Sequence, residues 1–315
     1  SDWSSDVCSS DLATMASVSM ADISITGGAK VNFTSTEVTG GVNSNIIKND
    51  MDFTIVGKTG DTAATLTVSN AHSSNDILTT GANNRLEVEN SFVTSKIGDV
   101  NVKMGQWAKT SDTLLTDQND SASDAYQSGR VSLDTTVGGI KVKFEDYNAG
   151  DSRTTISGEV AGVNLSHTVY QTSTDTNVKA NVAGVAIHYR LRDRDVANTN
   201  TSSLQLDKEF NGMTFTYASI DTDTSATAVS ADAFIAGSSI TDADAFGVAM
   251  PLAGNTVKVK RQNTTTAAAG EAKATKMYLT RKLASGATFE AIYTDSDNGT
   301  AADSTSLDLE LAVKF

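Results

Sequence analysis

Residues 305–315 read as two interleaved lists: Leu307, Leu309, Leu311, Val313 and Phe315 are apolar, and Asp308, Glu310, Ala312 and Lys314 lie between them. Successive side chains of a strand point to opposite faces, so this spacing predicts a strand with one oily and one charged face. The same grammar opens the chain. Ile23, Ile25, Ala29, Val31 and Phe33 alternate with Ser24, Thr26, Lys30 and Asn32. After a polar stretch at 34–49, Met51, Phe53 and Ile55 alternate with Asp52 and Thr54, and a tight turn near Thr59-Gly60 hands over to Ala64, Leu66 and Val68. Further alternating strands are expected near 84–95, 100–107, 130–137, 140–147, 153–160, 163–172, 176–183, 185–194, 202–210, 213–221, 242–250, 256–263, 272–283, 287–295 and 304–315.

The connections carry a second pattern. Short turns stand at Ile97-Gly98-Asp99, Gly138-Gly139, Ala161-Gly162, Ala183-Gly184, Asn211-Gly212, Pro251 to Asn255 and Ala284 to Gly286. At the other strand ends the connections are mostly longer: 34–49, 72–83, 108–129, 195–201, 222–241 and 264–271. A soluble sandwich alternates too, but it has no reason to put short turns at one end and long loops at the other; transmembrane barrels do. No apolar run approaches the roughly 20 residues of a spanning helix, so any membrane crossing must be made by strands. Hydrophobic residues make up 39% of the chain, which suits a barrel because only alternate residues meet lipid. The expectation is an all-β, closed antiparallel transmembrane β-barrel of 16–18 strands, with eighteen the best count, short periplasmic turns and longer outer loops. Closure of the first strand on the last would satisfy the backbone groups that hydrocarbon cannot.

The first residues are expected to lie outside this design. Asp2 to Leu12 resembles a translated sequencing adapter, so residues 1–12 read as a non-native leader, and 13–21, with Ser19 and Ala21, as the remnant of a secretory signal. The barrel domain then covers 22–315. Cys8, the single cysteine, falls in the leader, as do Asp2, Asp6 and Asp11; without those three acids the formal charge goes from -14 to -11. An acidic chain of this kind argues against nucleic acid as a partner.

A strand that ends the chain on an aromatic residue resembles the terminal strand of Gram-negative outer-membrane β-barrels, whose final Phe is part of the assembly signal; here that residue is Phe315. The stretch from Phe92 through Lys96-Ile97-Gly98-Asp99 to Gly105-Gln106-Trp107 is similar to the fourth strand, turn and fifth strand of the general bacterial porins. Tyr278 to Phe289 resembles their penultimate hairpin. The resemblance implies a water-filled channel for passive diffusion of ions and small hydrophilic solutes, a homotrimer in outer-membrane lipid, and biogenesis through the β-barrel assembly machinery. It also implies that loop 108–129, after the fifth strand, folds into the pore and brings Asp112, Asp117, Asp120 and Asp124 to a constriction. Gln106-Trp107 stands where the family usually closes the fifth strand with Arg.

Strand parity supplies the opposite wall. With Val185, Ile187, Tyr189 and Leu191 outward, His188, Arg190, Arg192 and Arg194 point inward; Lys103, Arg130, Lys141, Lys143, Arg153, Lys258 and Lys260 do the same on their strands. Inward acids are expected at Glu87, Glu89, Asp134, Glu145, Glu159, Asp207, Glu209, Glu290, Asp308 and Glu310. Acidic loop against basic wall would put a transverse field across the throat, and the acidic total leans the expected ion preference to cations. Enzymatic chemistry is not expected: His72, His167 and His188 sit in no metal-ligand spacing, and no nucleophile elbow, dinucleotide or phosphate-loop motif occurs. No cofactor is implied; acidic outer loops offer carboxylates to calcium, though no spacing specifies a site. Two alternatives stand beside the diffusion channel: a solute-selective outer-membrane channel, and a secreted structural β-protein of S-layer or adhesin type, against which the irregular strand and loop lengths argue.

Overall fold

A computed structural model describes residues 22–71, 85–107, 129–147, 152–195, 200–222, 227–229, 235, 237–266, 270–299 and 302–315. Its strands run in chain order around one sheet. Two tall strands, β1 (Asp22–Val38) and β2 (Ser44–Thr59), lead to β3 (Thr62–Ala71) and β4 (Arg85–Ile97). Five shorter ones follow: β5 (Val100–Gln106), β6 (Arg130–Val137), β7 (Ile140–Tyr147), β8 (Ser152–Val160) and β9 (Val163–Val169). The wall then rises through β10 (Ser173–Val182), β11 (Val185–Arg194), β12 (Thr201–Phe210) and β13 (Met213–Thr222). A three-residue piece, β14 (Thr227–Val229), precedes β15 (Gly237–Leu252), β16 (Asn255–Thr266), β17 (Gly270–Lys282), β18 (Thr288–Asp297) and β19 (Ser304–Lys314).

Every pairing is antiparallel, β13 pairs directly with β15, and β14 only extends that row, so eighteen strands make the ring. The ring is shut by β1 on β19, from Gly28 opposite Lys314 to Val38 opposite Ser304. One step further the Gly27 amide donates to the Phe315 carbonyl at 2.8 Å, and the Phe315 amide donates back at 3.0 Å. Gly27 is needed there, because a Cβ on it would lie 2.8 Å from the Phe315 ring. That ring instead lies across β1 to reach Phe53 of β2, with centroids 5.9 Å apart.

Two faces emerge as the alternation requires. Leu311 is 50% exposed on the outside, whereas Glu145 is 1% exposed within the lumen. Apolar side chains that a soluble protein would bury, such as Ile25, Phe53, Leu133, Ile156, Leu191 and Phe246, all stand exposed on the outer surface. Among the described residues no helix is long and apolar enough to cross a membrane. At the short turns four non-glycine residues, Ala161, Ala183, Asn211 and Ala253, take positive φ ahead of a glycine that does the same. This double left-handed step is the two-residue turn whose twist matches that of the flanking strands.

Several boundaries differ from the sequence expectation, among them the loop expected at 264–271, which shrinks to 267–269 between β16 and β17. The loop expected at 34–49 is strand for most of its length, leaving only Thr39 to Asn43 between β1 and β2. Alternation weakens there, with Ile46 and Ile47 adjacent, but the backbones keep pairing, and a ladder above the apolar band needs no oily face. The strand expected over 163–172 stops at Val169, and β10 starts at Ser173 rather than 176, so that hairpin has a three-residue tip. β15 starts at Gly237, five residues before the expected 242, and carries a register shift between Ile240 and Asp242 that scrambles its parity. Of the expected constriction loop 108–129, all but residue 129 lies outside the described residues, as do the leader and the signal remnant.

Candidate functional site

Among the described residues the lumen wall of β5–β11 carries a dense set of charged side chains, and the basic residues singled out from parity share it. Lys103 on β5, Arg130 on β6, Lys141 and Lys143 on β7, Arg153 on β8, and Arg190, Arg192 and Arg194 on β11 all fall on the inward face of neighbouring strands. Asp112, Asp117, Asp120 and Asp124 lie outside the described residues. The bases are not bare. Arg190 forks onto Asp175 of β10, its Nε donating to both carboxylate oxygens at 2.9 Å while an Nη also donates to Oδ2. Arg192 adds an Nη2 contact to Oδ2 at 3.2 Å, and Asn177 donates to Oδ1 at 3.3 Å. Asp175, 3% exposed, is therefore clamped by two guanidinium groups and an amide.

Lower on the arc, Glu145 binds Arg153 Nε at 2.5 Å and Lys143 Nζ at 3.0 Å. Asp134 takes Asn101 Nδ2 at 2.9 Å and Lys141 Nζ at 3.2 Å. Over β5–β11 the inward bases Lys103, Arg130, Lys141, Lys143, Arg153, Lys179, Arg190, Arg192 and Arg194 face the inward acids Asp134, Glu145, Glu159 and Asp175. Nine against four leaves this arc strongly positive. Across the ring, nine strands from β8 and β9, stand β18 and β19. There Glu290 pairs directly with Glu310, and Asp308 sits one inward step further along β19. Thr280 Oγ1 donates to Glu290 at 2.9 Å. Three inward acids with one inward base, Lys314, on β18 and β19 thus oppose the basic arc across the lumen.

Aromatic rings are interleaved with the cations. Lys103 Nζ lies 3.7 Å from the Phe92 ring centre and 4.3 Å from that of Trp107. Arg130 lies 4.0 Å from the Trp107 ring and 5.4 Å from Tyr147, whose other neighbour is Arg153 at 5.5 Å. Such contacts retain cations on a wall where water competes for them. Gly105 makes the series possible: with φ +131° and the Ser91 carbonyl and Phe92 Cα where a Cβ would sit, it lets the end of β5 close on β4 and carries Trp107 to the lumen side. Phe92, Lys103, Trp107, Asp134, Lys141 and Lys143, with the Thr65 and Thr67 hydroxyls, line a recess of about 480 Å³.

One stretch of the lumen is dry. On β13 and β15 the buried cluster Ala218, Ile220, Ile240, Ala243 and Ala245 is joined by Ile235, from the connection before β15, and all are 0–2% exposed. Lys260 of β16, cross-strand from Lys276, is 1% exposed beside them. Ile235 packs in this buried cluster with the inner-wall alanines Ala218, Ala243 and Ala245. Sequence parity missed this, Asp175 and Trp107. The first two left a trace: Ala218 and Ile220 occupy inward positions where polar residues are the rule, and Asp175 falls on the inward face once β10 is started at Ser173. His167, by contrast, is exposed on the outer face as parity requires. Among the described residues no group of three or more His, Cys, Asp or Glu is arranged to hold a metal.

No family model and no curated protein matches the chain. Solved structures do. OccAB4 of Acinetobacter baumannii superposes with a TM-score of 0.68 at 10% identity, over 94% of this chain and 99% of that one. OpdQ of Pseudomonas aeruginosa gives 0.68 at 9% identity, over 94% and 99%. A mutant form of the Rh. blastica porin gives 0.58 at 14% identity, over 93% and 100%. At such identities the likeness is one of fold: this chain has the closed antiparallel barrel seen in OccAB4, OpdQ and the Rh. blastica porin.

Proposed function

We propose that the chain is an outer-membrane channel through which ions and small hydrophilic solutes diffuse passively, acting without a catalytic step. A closed ring with apolar side chains exposed outward and Arg, Lys, Asp and Glu packed inward carries this reading. Lipid stabilises the first surface and water the second, and no other pair of solvents suits both. A secreted structural protein would have no use for the exposed apolar exterior. Opposed charge arcs orient polar solutes crossing between them and slow apolar ones. The basic arc and loop 108–129, with Asp112, Asp117, Asp120 and Asp124, form the constriction in this reading, Phe315 serves the assembly machinery, and the channel works as a homotrimer.

The recess between Phe92, Trp107 and the three lysines favours a second reading, a channel selective for particular solutes. Swelling of liposomes containing the purified protein tests both. Neutral sugars entering at rates graded by size alone support open diffusion, and small organic acids that enter faster than sugars of equal size support selectivity. Liposomes that stay impermeable to all of them would refute the channel.

A further inference from the structure

We propose that the recess on the inner wall of β3 to β7 is a binding site for phosphate monoesters of small hydroxylated molecules; this names the solute class for the selective channel above and rests on that reading. Five neighbouring strands each put one or two side chains into it, with Trp107 just beyond β5. Its volume of about 480 Å³ suits a small ligand, whose sites commonly measure roughly 300–1,000 Å³.

Charge fixes the valence of the ligand. Lys103, Lys141 and Lys143 line the recess with one acid, Asp134, which leaves a surplus of two positive charges. A phosphate monoester carries about −1.5 to −2 at pH 7 and matches that surplus. A carboxylate would leave one ammonium charge uncompensated. The three lysines are also engaged differently. Lys141 Nζ lies 3.2 Å from Asp134, and Lys143 Nζ lies 3.0 Å from Glu145, whose other oxygen is held by Arg153. Lys103 has no carboxylate within ion-pair reach among the described residues; the Phe92 and Trp107 rings hold its ammonium at 3.7 and 4.3 Å instead. Ring faces keep this cation on the wall, and its N–H donors remain for an oxyanion arriving from the lumen.

Donor shape selects phosphate as well. No Arg lines the recess: Arg130 packs on the Trp107 ring, and Arg153 binds Glu145. A planar carboxylate is best met by the planar fork of a guanidinium, whereas ammonium groups act as point charges and can approach a tetrahedral oxyanion from several directions. Lys103 and Lys143 do so from β5 and β7, with Ser132 of β6 cross-strand from Lys103. Ser132 is 4% exposed, and its hydroxyl and that of Thr65 make no hydrogen bond among the described residues. Both can donate to phosphate oxygens or accept from hydroxyls on the carbon skeleton of the ester.

Trp107 supplies the readout. The chain has two tryptophans, so Trp3→Phe leaves Trp107 as the single indole emitter, beside Lys103. Its fluorescence in the folded, detergent-purified full chain is titrated with glucose 6-phosphate, gluconate, inorganic phosphate and glucose. Glucose 6-phosphate is expected to bind about tenfold more tightly than gluconate, the weight of one further charge-assisted hydrogen bond, and more tightly than inorganic phosphate, with no response to glucose. Lys143→Met should weaken the ester about tenfold. Lys30→Gln, which removes a charge from the inner wall at β1, should change it by less than about twofold. The assignment is overturned if gluconate or inorganic phosphate binds as tightly as the ester, if the two variants lose affinity equally, or if none of the four solutes moves the signal. Current steps from the same preparation report separately on the channel, so a conducting pore whose Trp107 ignores the ester refutes the site alone.

Discussion

Asp175 holds the charge balance of the basic arc, and replacing it with Asn is the most informative single change. The amide keeps the shape and one oxygen acceptor for Arg190 and Arg192, so the change removes a charge with little change in packing. One positive charge is then uncompensated on the wall. At about 7 Å from a passing ion in water, with a Debye length of about 8 Å, a unit charge is worth roughly 0.25 kcal/mol, favourable for an anion and unfavourable for a cation. The two effects add to about 0.5 kcal/mol, a change of about two- to threefold in the cation-to-anion permeability ratio. In a tenfold salt gradient that moves the reversal potential of a near-neutral pore by on the order of 20 mV toward anion preference. Arg190→Gln with Arg192→Gln removes two positive charges and should move it about twice as far the other way, and the triple variant, one positive charge short of the parent, should shift toward cations by about the single-charge amount. The measurement is the zero-current potential of single channels in a planar bilayer. An unmoved potential in all three variants would take the Asp175 clamp out of the conduction path, and a shift of Asp175→Asn toward cations would refute the charge assignment.

Other expectations follow from the same geometry. Gly27→Val forces the Phe315 ring off its seat at the seam, so the heat-modifiable form should melt at lower temperature on gels, with unchanged conductance in those molecules that fold. Leu309→Arg puts a cation on the lipid face of β19 and should cost about 2–4 kcal/mol in reversible unfolding from lipid, whereas the same change at the inward Ser306 should cost far less. Trp107→Ala uncovers Lys103 and Arg130 in the recess, and single-channel conductance should rise together with anion preference. Ile220→Asp places a charge in the dry patch that includes Ile235 and should loosen its packing, seen as larger and noisier current steps.

Much of this barrel was legible because each face of its strands meets a different solvent. The period of two in Leu307 to Phe315, or in Val185 to Leu191, is a direct consequence of lipid on one side and water on the other, and parity carried over to Arg190, Arg192, Lys141 and Lys143 without any knowledge of neighbours. Turns such as Ala183-Gly184 and Asn211-Gly212 were legible because few dipeptides accept two left-handed residues in succession. Where only one solvent is present the signal fades. Above the apolar band β1 and β2 pair through Thr34 to Thr36 with water on both faces, so the strand continues without alternating. The Asp175 clamp, the stacking of Trp107 between Lys103 and Arg130, and the dry patch at Ala218 and Ile220 depend on which strands lie side by side. No single strand encodes that. The opposition of β18–β19 to β8–β9 likewise appears only after the ring is closed and counted.

The central claim, an oily exterior around a continuous wet lumen, is tested most directly by single-channel recording of detergent-purified, heat-modifiable protein in a planar lipid bilayer. Discrete, long-lived current steps that scale with salt concentration are predicted. Folded, inserted protein that leaves the bilayer electrically silent would contradict the account.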